Sequence, residues 1–154
     1  MTALTSLMHH HHAHCDDLFA AAESAVANRK WQEARTLFAD LERELDTHFR
    51  SEEEILFPAF ESVTGMTGGP TQMMRIEHAQ MRHLLEQMHS AVGETPNGEM
   101  FAGAAETLLI LMQQHNMKEE NILYPMCDRS LAGQVDGIAL ALQERLAEAC
   151  PTPS

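Results

Sequence analysis

The sequence predicts an all-α fold, an up-down-up-down four-helix bundle followed by a short additional C-terminal helix. Apolar residues recur at helical spacing along most of the 154 residues, and few windows alternate in the manner of a β-strand. Glycine and proline gather in only two clear breaker stretches, TGMTGGP at 64–70 and GETPNG at 93–98. Long helices joined by short loops favour antiparallel neighbours, and a chain of this length fits one domain, residues 1–154.

The breaker stretches place the helices along the chain. The four bundle helices are expected at about 3–28, 31–62, 70–92 and 98–129, so that the bundle covers about 3–129. A weaker amphipathic segment, about 132–148, follows the residues SLAG. The sequence leaves open whether this last segment packs on the bundle or on a second subunit.

Three prolines refine the helix assignments. Pro70 is expected in the first turn of the third helix, where its missing N–H is not needed. Pro58 and Pro125 lie late in the second and fourth helices, directly after ILF and ILY. Each of these two prolines is expected to kink or loosen its helix.

One eleven-residue phrase occurs twice, as HFRSEEEILFP at 48–58 and as HNMKEENILYP at 115–125. Both phrases continue a series of inward positions at steps of four and three residues, here called the seam. On the second helix the seam is Leu41, Leu45, His48, Glu52, Ile55 and Ala59. On the fourth helix it is Leu108, Met112, His115, Glu119, Ile122 and Met126. Each repeat therefore places a histidine and a glutamate, one turn apart, on a face that is otherwise apolar.

The other two helices each add one seam histidine. On the third helix the seam reads Met74, His78, Met81, Leu85, Met88 and Val92. On the first helix it reads Met8, His12, Cys15, Phe19, Ala22 and Val26. All four bundle helices are thus expected to point one imidazole into the core.

Four inward histidines and two inward glutamates form a donor set for two metal ions. Burial of carboxylates without partners is very unfavourable, and a pair of cations supplies the missing positive charge. A histidine can bind one ion while the glutamate one turn later bridges to the other. The predicted ligands are His12, His48, Glu52, His78, His115 and Glu119. With an oxo or hydroxo bridge, each ion reaches about five ligands. Imidazole and carboxylate donors suit iron or manganese, with zinc or copper as substitutes. The alternative reading is a structural hydrogen-bonded network of the same residues.

Charge and composition exclude several classes of partner. Ten Lys and Arg against 23 Asp and Glu give a net charge of −13, which argues against nucleic-acid binding. We find no apolar run long enough to cross a bilayer, and no basic-then-apolar signal peptide at the N-terminus. The three cysteines, Cys15, Cys127 and Cys150, are widely spaced and odd in number. They indicate reduced thiols in a cytoplasmic protein.

The phrases HFRSEEEILFP, RIEHAQMRHLL and HNMKEENILYP, in this order, resemble the hemerythrin-like family, the HHE cation-binding domain. The resemblance covers about residues 7–128. It implies a four-helix bundle around a non-haem di-iron centre with two iron ions. The ligand roles of the family fall on His12, His48, Glu52, His78, His115 and Glu119.

The resemblance leaves some positions open. The first helix offers His12, His11 and His14, in that order of preference, because each shares a face with small or apolar residues. Oxygen-carrying members of the family have a second histidine four residues after the ligand of the third helix, where this chain has Arg82. Arg82 either donates hydrogen bonds near the centre or forms a surface ion pair. Glu120 occupies the spacing that the oxygen carriers use, but the seam and the second-helix repeat favour Glu119.

The expected function is a binding protein or sensor rather than an enzyme. Open coordination positions on a carboxylate-bridged iron pair would take O2, nitric oxide or peroxide, while Arg82 argues against simple reversible oxygen carriage. Two alternatives are a small di-iron oxidase or peroxidase-like enzyme, and an iron-storage or iron-sensing protein. The expected partner is a small ligand, with no nucleic acid and no membrane, and a homodimer is a possible assembly.

Overall fold

The computed structural model describes residues 2–149, which form five helices and no strand. Three helices are regular: α1 (Ala3–Ala27), α3 (Pro70–Ala91) and α5 (Val135–Ala149). Helix α2 (31–64) consists of α-helical Trp31–Ser51, π-helical Glu52–Leu56 and α-helical Phe57–Thr64. Helix α4 (98–130) repeats this plan with Gly98–Lys118, Glu119–Leu123 and Tyr124–Ser130. The predicted all-α class is confirmed, and the up-down-up-down order of the four long helices remains a prediction.

Local side chains explain where several helices begin and end. Thr2 precedes α1 and its hydroxyl oxygen accepts a hydrogen bond from the Thr5 amide, while Asn97 caps α4 by accepting from the Met100 amide. Pro70 is the first residue of α3, as predicted. Helix α2 ends at Gly65, whose φ of 74° is the left-handed conformation that glycine adopts without steric strain.

In both repeats, a wide helical turn directly precedes the helical segment that contains the proline. The amide of Phe57 donates to the carbonyl of Glu52, and the amide of Tyr124 donates to the carbonyl of Glu119. Both are five-residue steps, one longer than in an α-helix. Since the ring of Pro58 would clash with the carbonyl four residues earlier, the wide turn gives it room. Each wide turn begins at the glutamate predicted as a metal ligand.

The wide turns shift the buried face of the helix by one residue. The sequence predicted that the seams would continue through Ile55, Ala59, Ile122 and Met126. This is wrong for Ile122, and the other three are only partly buried at the edge of an apolar cluster. The structure instead buries Leu56, Phe60, Leu123 and Cys127. One extra residue in a turn rotates everything after it by about 100°. As a result Ile122 is 55% exposed, whereas its neighbour Leu123 is 1% exposed.

Two apolar clusters fill the core, and the predicted metal ligands lie between them along the helices. Helix α1 packs along α2, and α3 packs along α4. One cluster contains Phe19 and Phe38 towards one end, and the other contains Leu56 and Leu123 towards the other end. Helix α5 contributes Leu142 to the second cluster, so it packs on the bundle of its own chain. None of the described helices combines the length and apolar character needed to cross a membrane.

Candidate metal centre

All six predicted ligands come together in the core. They are buried, and their donor atoms form two groups in which every atom lies within 4.8 Å of the others. The larger group consists of Glu52, His78, His115 and Glu119. The smaller group consists of His12, His48 and Glu119. The sequence pattern therefore predicted which side chains converge, and their role as ligands remains a prediction.

Each glutamate lies between one histidine of the pair His12 and His48 and one histidine of the pair His78 and His115. Glu119 Oε1 is 3.2 Å from His12 Nε2 and 3.3 Å from His115 Nε2. Glu52 Oε1 is 3.2 Å from His78 Nε2 and 3.5 Å from His48 Nε2. Carboxylates placed in this way can bridge two cations, one held by each pair of histidines.

Several inward atoms of the centre have no hydrogen-bond partner. Among the described residues, the buried atoms Glu52 Oε1, His78 Nε2, His115 Nε2 and Glu119 Oε2 are the ones left unsatisfied. Each buried polar atom without a partner costs on the order of 1–3 kcal/mol. All four belong to the predicted ligands and aim at the same space, so the residues present fit a pair of cations.

The outer ring nitrogens of three of the histidines are held by carboxylates. The Nδ1 atoms of His12, His78 and His115 lie 2.9, 2.8 and 2.7 Å from carboxylate oxygens. Their partners are Glu120, Glu53 and Glu77, respectively. A carboxylate that accepts from Nδ1–H fixes the ring with Nε2 turned inward and makes that nitrogen a stronger donor.

The fourth histidine, His48, is held differently. Its Nδ1 lies 2.8 Å from Nδ1 of His11, and Nε2 of His11 lies 2.8 Å from Oε2 of the buried Glu44. The two imidazole rings stack with centroids 5.0 Å apart. On the first helix, His12 brings a ring nitrogen to the centre, His11 lies behind His48, and His14 is exposed, which favours His12 as the ligand from this helix.

Arg82 reaches the centre only through another residue. Its guanidinium donates to both oxygens of Glu53 at 2.8 Å, and Glu53 in turn accepts from His78 Nδ1. Although burial opposes the shift, these hydrogen bonds lower the pKa of Glu53 to about 2. Arg82 therefore stabilises the charged form of Glu53, the carboxylate that holds His78. The guanidinium thus forms an ion pair and also donates hydrogen bonds near the centre, the two roles that the sequence left open.

Tyr124 covers the two central carboxylates. Its buried hydroxyl lies 2.8 Å from Glu52 Oε2 and 3.0 Å from Glu119 Oε1, and its single proton donates to one of them at a time. Burial and the two negative charges raise the pKa of Tyr124 well above its ordinary value. The tyrosine therefore stays a neutral donor that orients both glutamates.

Without a bound cation, protons are the charges that balance these carboxylates. Burial and the neighbouring Glu119 raise the pKa of Glu52 to about 8. Burial alone would lower the pKa of His12, but hydrogen bonds to Glu119 and Glu120 raise it to about 10. Burial also opposes protonation of His78, yet Glu52 and Glu53 raise its pKa to about 9. Binding of cations is therefore expected to release protons.

The two cysteines within the described residues are free thiols in the core. Burial, together with the charge of Glu44, raises the pKa of Cys15 above its ordinary value. Burial and the charge of Glu52 raise the pKa of Cys127 to about 12, so both remain protonated. Cys150 lies outside the described residues.

Sequence reasoning missed Glu77, Glu44 and the position of His11 behind His48. Glu77 directly precedes His78, yet it holds His115 on the neighbouring helix and also accepts from Lys118. A pairing between helices leaves no spacing signal within either one. The charged pair Glu77 and Lys118 was the only cue, because opposite charges on two adjacent helices favour contact.

Comparison with known proteins agrees with this geometry. The model of the hemerythrin HHE cation binding domain matches residues 3–127. The iron-sulfur cluster repair protein YtfE of Escherichia coli O81 (strain ED1a) is 37% identical over 103 residues, covering 61% of this chain and 45% of the relative. The protein of the same name from Escherichia fergusonii is 36% identical over the same shares. The chain spans about half the length of the curated relatives that it matches. No solved structure matches it.

Proposed function

The chain belongs to the hemerythrin family of HHE cation-binding domains, and we propose that it holds two non-haem iron ions and binds a small ligand there. The ligand is O2, nitric oxide or peroxide. The observation that carries the proposal is the set of buried, unsatisfied donor atoms on Glu52, His78, His115 and Glu119. Among the described residues these four atoms make no hydrogen bond, and cations between them would satisfy all four.

The distances support an assignment of residues to each ion. His12 and His48, whose Nε2 atoms are 3.1 Å apart, would hold one iron. His78 and His115 would hold the other, with Glu52 and Glu119 bridging. Mixed imidazole and carboxylate donors favour iron or manganese, and zinc is a possible substitute.

A bound iron pair would supply open coordination positions and a change of oxidation state, and the protein supplies a buried, fixed surrounding. Phe49 stacks on His78 at 4.3 Å between ring centroids, and Phe57 stacks at 5.8 Å. Tyr124 closes the centre beside the two glutamates and donates a hydrogen bond. The phenylalanine rings flank His78 and Tyr124 holds the carboxylates in place, so these buried surroundings suit a small ligand.

The surroundings of the site support the remaining parts of the proposal. The net charge of −13 favours a small-molecule partner over nucleic acid. We propose that the long helices run up-down-up-down and that the protein acts in the cytoplasm. Within this proposal the protein is a binding or sensing protein.

Titration of the reduced, iron-loaded protein with nitric oxide under anaerobic conditions tests this function. The expected result is a saturable change in the optical spectrum. Parallel titrations with O2 and with peroxide test the other two ligands. Glu119→Gln should lose the change because it removes a bridging carboxylate. Glu54→Gln is the matched control, since Glu54 lies in the wide turn of α2 and pairs with Arg145 at the surface. An iron-loaded protein whose spectrum responds to none of the three ligands contradicts the proposal.

A second candidate is supply of iron to damaged iron–sulfur clusters. The name of the relatives, iron-sulfur cluster repair protein, favours it. The test is incubation of the iron-loaded protein with an apo iron–sulfur protein and a sulfide source. Cluster formation faster than with the same amount of free ferrous iron supports this candidate, and an equal or lower rate excludes it.

A further inference from the structure

The two halves of the centre are supported unequally. His78 and His115 are each backed by a carboxylate, Glu53 or Glu77, at 2.8 and 2.7 Å. In the other half only His12 has such a partner. His48 is backed instead by the imidazole of His11 and reaches a carboxylate, Glu44, one residue further out.

We infer that the position formed by His12 and His48 is the exchangeable metal position, and that His11 and Glu44 are positioning residues that hold His48 for it. The inference rests on the proposed dinuclear centre and names the ion that leaves and enters first. It concerns the relative lability of the two positions, whichever small ligand the centre binds.

The contacts along His48, His11 and Glu44 determine which ring nitrogen of each histidine carries a proton. When His48 presents Nε2 to a cation, its Nδ1 carries the proton and donates to Nδ1 of His11. His11 then carries its own proton on Nε2 and donates to Glu44. A neutral imidazole is a weaker acceptor than a carboxylate, so His48 receives less electron density than His78 or His115 and binds a cation less strongly.

The number of converging residues and their burial also indicate that the position of His12 and His48 is the exchangeable one. The group around His78 and His115 contains four converging residues, and the group around His12 and His48 contains three. His78 is fully buried, whereas His12 and His11 retain 6% and 8% exposure. A cation between His12 and His48 therefore has Glu52 as a more distant ligand, since Glu52 Oε1 is 3.5 Å from His48 Nε2 and 3.2 Å from His78 Nε2, and it has a shorter way to solvent.

Timed release of iron to a chelator tests the inference on full-length protein loaded with two irons. We expect two phases of equal amplitude, the first about tenfold faster, since partners behind a metal ligand commonly change affinity by about ten- to hundredfold. Glu44→Gln should accelerate only the fast phase. The matched variant Glu77→Gln, which alters the carboxylate behind His115, should accelerate only the slow phase.

A ligand variant assigns the phases to positions. His48→Gln should retain one iron, released at the slow rate of the unsubstituted protein, and its Mössbauer spectrum should keep only the signal of the slowly released iron. Equal release of both irons, or acceleration of the slow phase by Glu44→Gln, overturns the inference. Failure to load two irons would instead count against the proposed di-iron function. Circular dichroism verifies that each variant is helical before release is measured.

Discussion

At the scale of single residues, each histidine that faces the centre is held from behind by a side chain of another helix. His48 and Glu52 share a helix face because they are one turn apart, which is a local property of any helix. The partners behind the histidines come from neighbouring helices, as with Glu77 and His115, and depend on how the helices are turned. Glu53 and Glu120 follow the same rule, because each directly follows a seam glutamate and holds a histidine of another helix.

Tyr124→Phe should destabilise the metal-free protein while leaving its helices intact. The substitution removes the only hydrogen-bond donor recorded at Glu52 Oε2 among the described residues, and a buried acceptor without a donor costs about 1–3 kcal/mol. Urea unfolding of the metal-free protein measures the loss. Thr107→Val is the control, because the Thr107 hydroxyl bonds at the exposed surface. A loss no larger than the control's contradicts the assigned role of Tyr124.

Glu61→Gln should remove part of the decrease in folding stability that occurs at low pH. Hydrogen bonds from Arg75, followed by one from Thr71, lower the pKa of Glu61 from its ordinary value of 4.5. A lowered pKa in the folded state stabilises the protein above pH 4.5, and that stabilisation is lost as pH falls through the lowered value. The stability advantage of the unsubstituted metal-free protein over Glu61→Gln should therefore shrink as pH falls from 4.5 through the lowered pKa of Glu61. An advantage that is constant or grows over this range contradicts the account.

At the scale of helices, the pattern predicted where they lie but not the register of the second and fourth helices from the wide turns onward. Both repeats contain adjacent apolar residues, Ile55 with Leu56 and Ile122 with Leu123. Such a doublet satisfies either register, so spacing alone cannot choose between them. The choice is made by the wide turn, which forms because the proline cannot accept the narrower geometry.

Leu123→Ala and Ile122→Ala distinguish the two registers directly. Leu123 is buried in the cluster beside the centre, so its truncation should cost about 2–5 kcal/mol. Ile122 is mostly exposed, so its truncation should change stability by less than about 0.5 kcal/mol. Chemical unfolding of both variants gives the comparison. A larger loss for Ile122→Ala means that the fourth helix has no wide turn.

At the scale of the whole molecule, a polar centre separates two apolar clusters within one bundle. The first cluster holds Phe38 and Leu108, and the second holds Leu56 and Leu142. The sequence could not place the last helix, because an amphipathic segment suits any apolar surface. The structure places Leu142 against its own bundle, where burial of α5 covers the end that carries the wide turns.

Removal of metal should weaken the whole fold, since the ligands come from all four long helices. A ligand that binds only the folded state at about a thousand times its Kd stabilises that state by about 4 kcal/mol. Chelation should therefore lower the melting temperature by several degrees in calorimetry, and the Glu54→Gln control should respond equally. A melting temperature that does not change on chelation means that the six residues form a structural network.

The central claim is that the four histidines and two glutamates form a centre for two iron ions. Its most direct test is the metal content, by mass spectrometry, of protein purified without added metal, together with an optical spectrum before and after reduction. Two irons per chain and near-ultraviolet absorption that bleaches on reduction are expected, with the iron content lowered in His115→Gln. A chain that takes up one ion or none when ferrous iron is supplied contradicts the account.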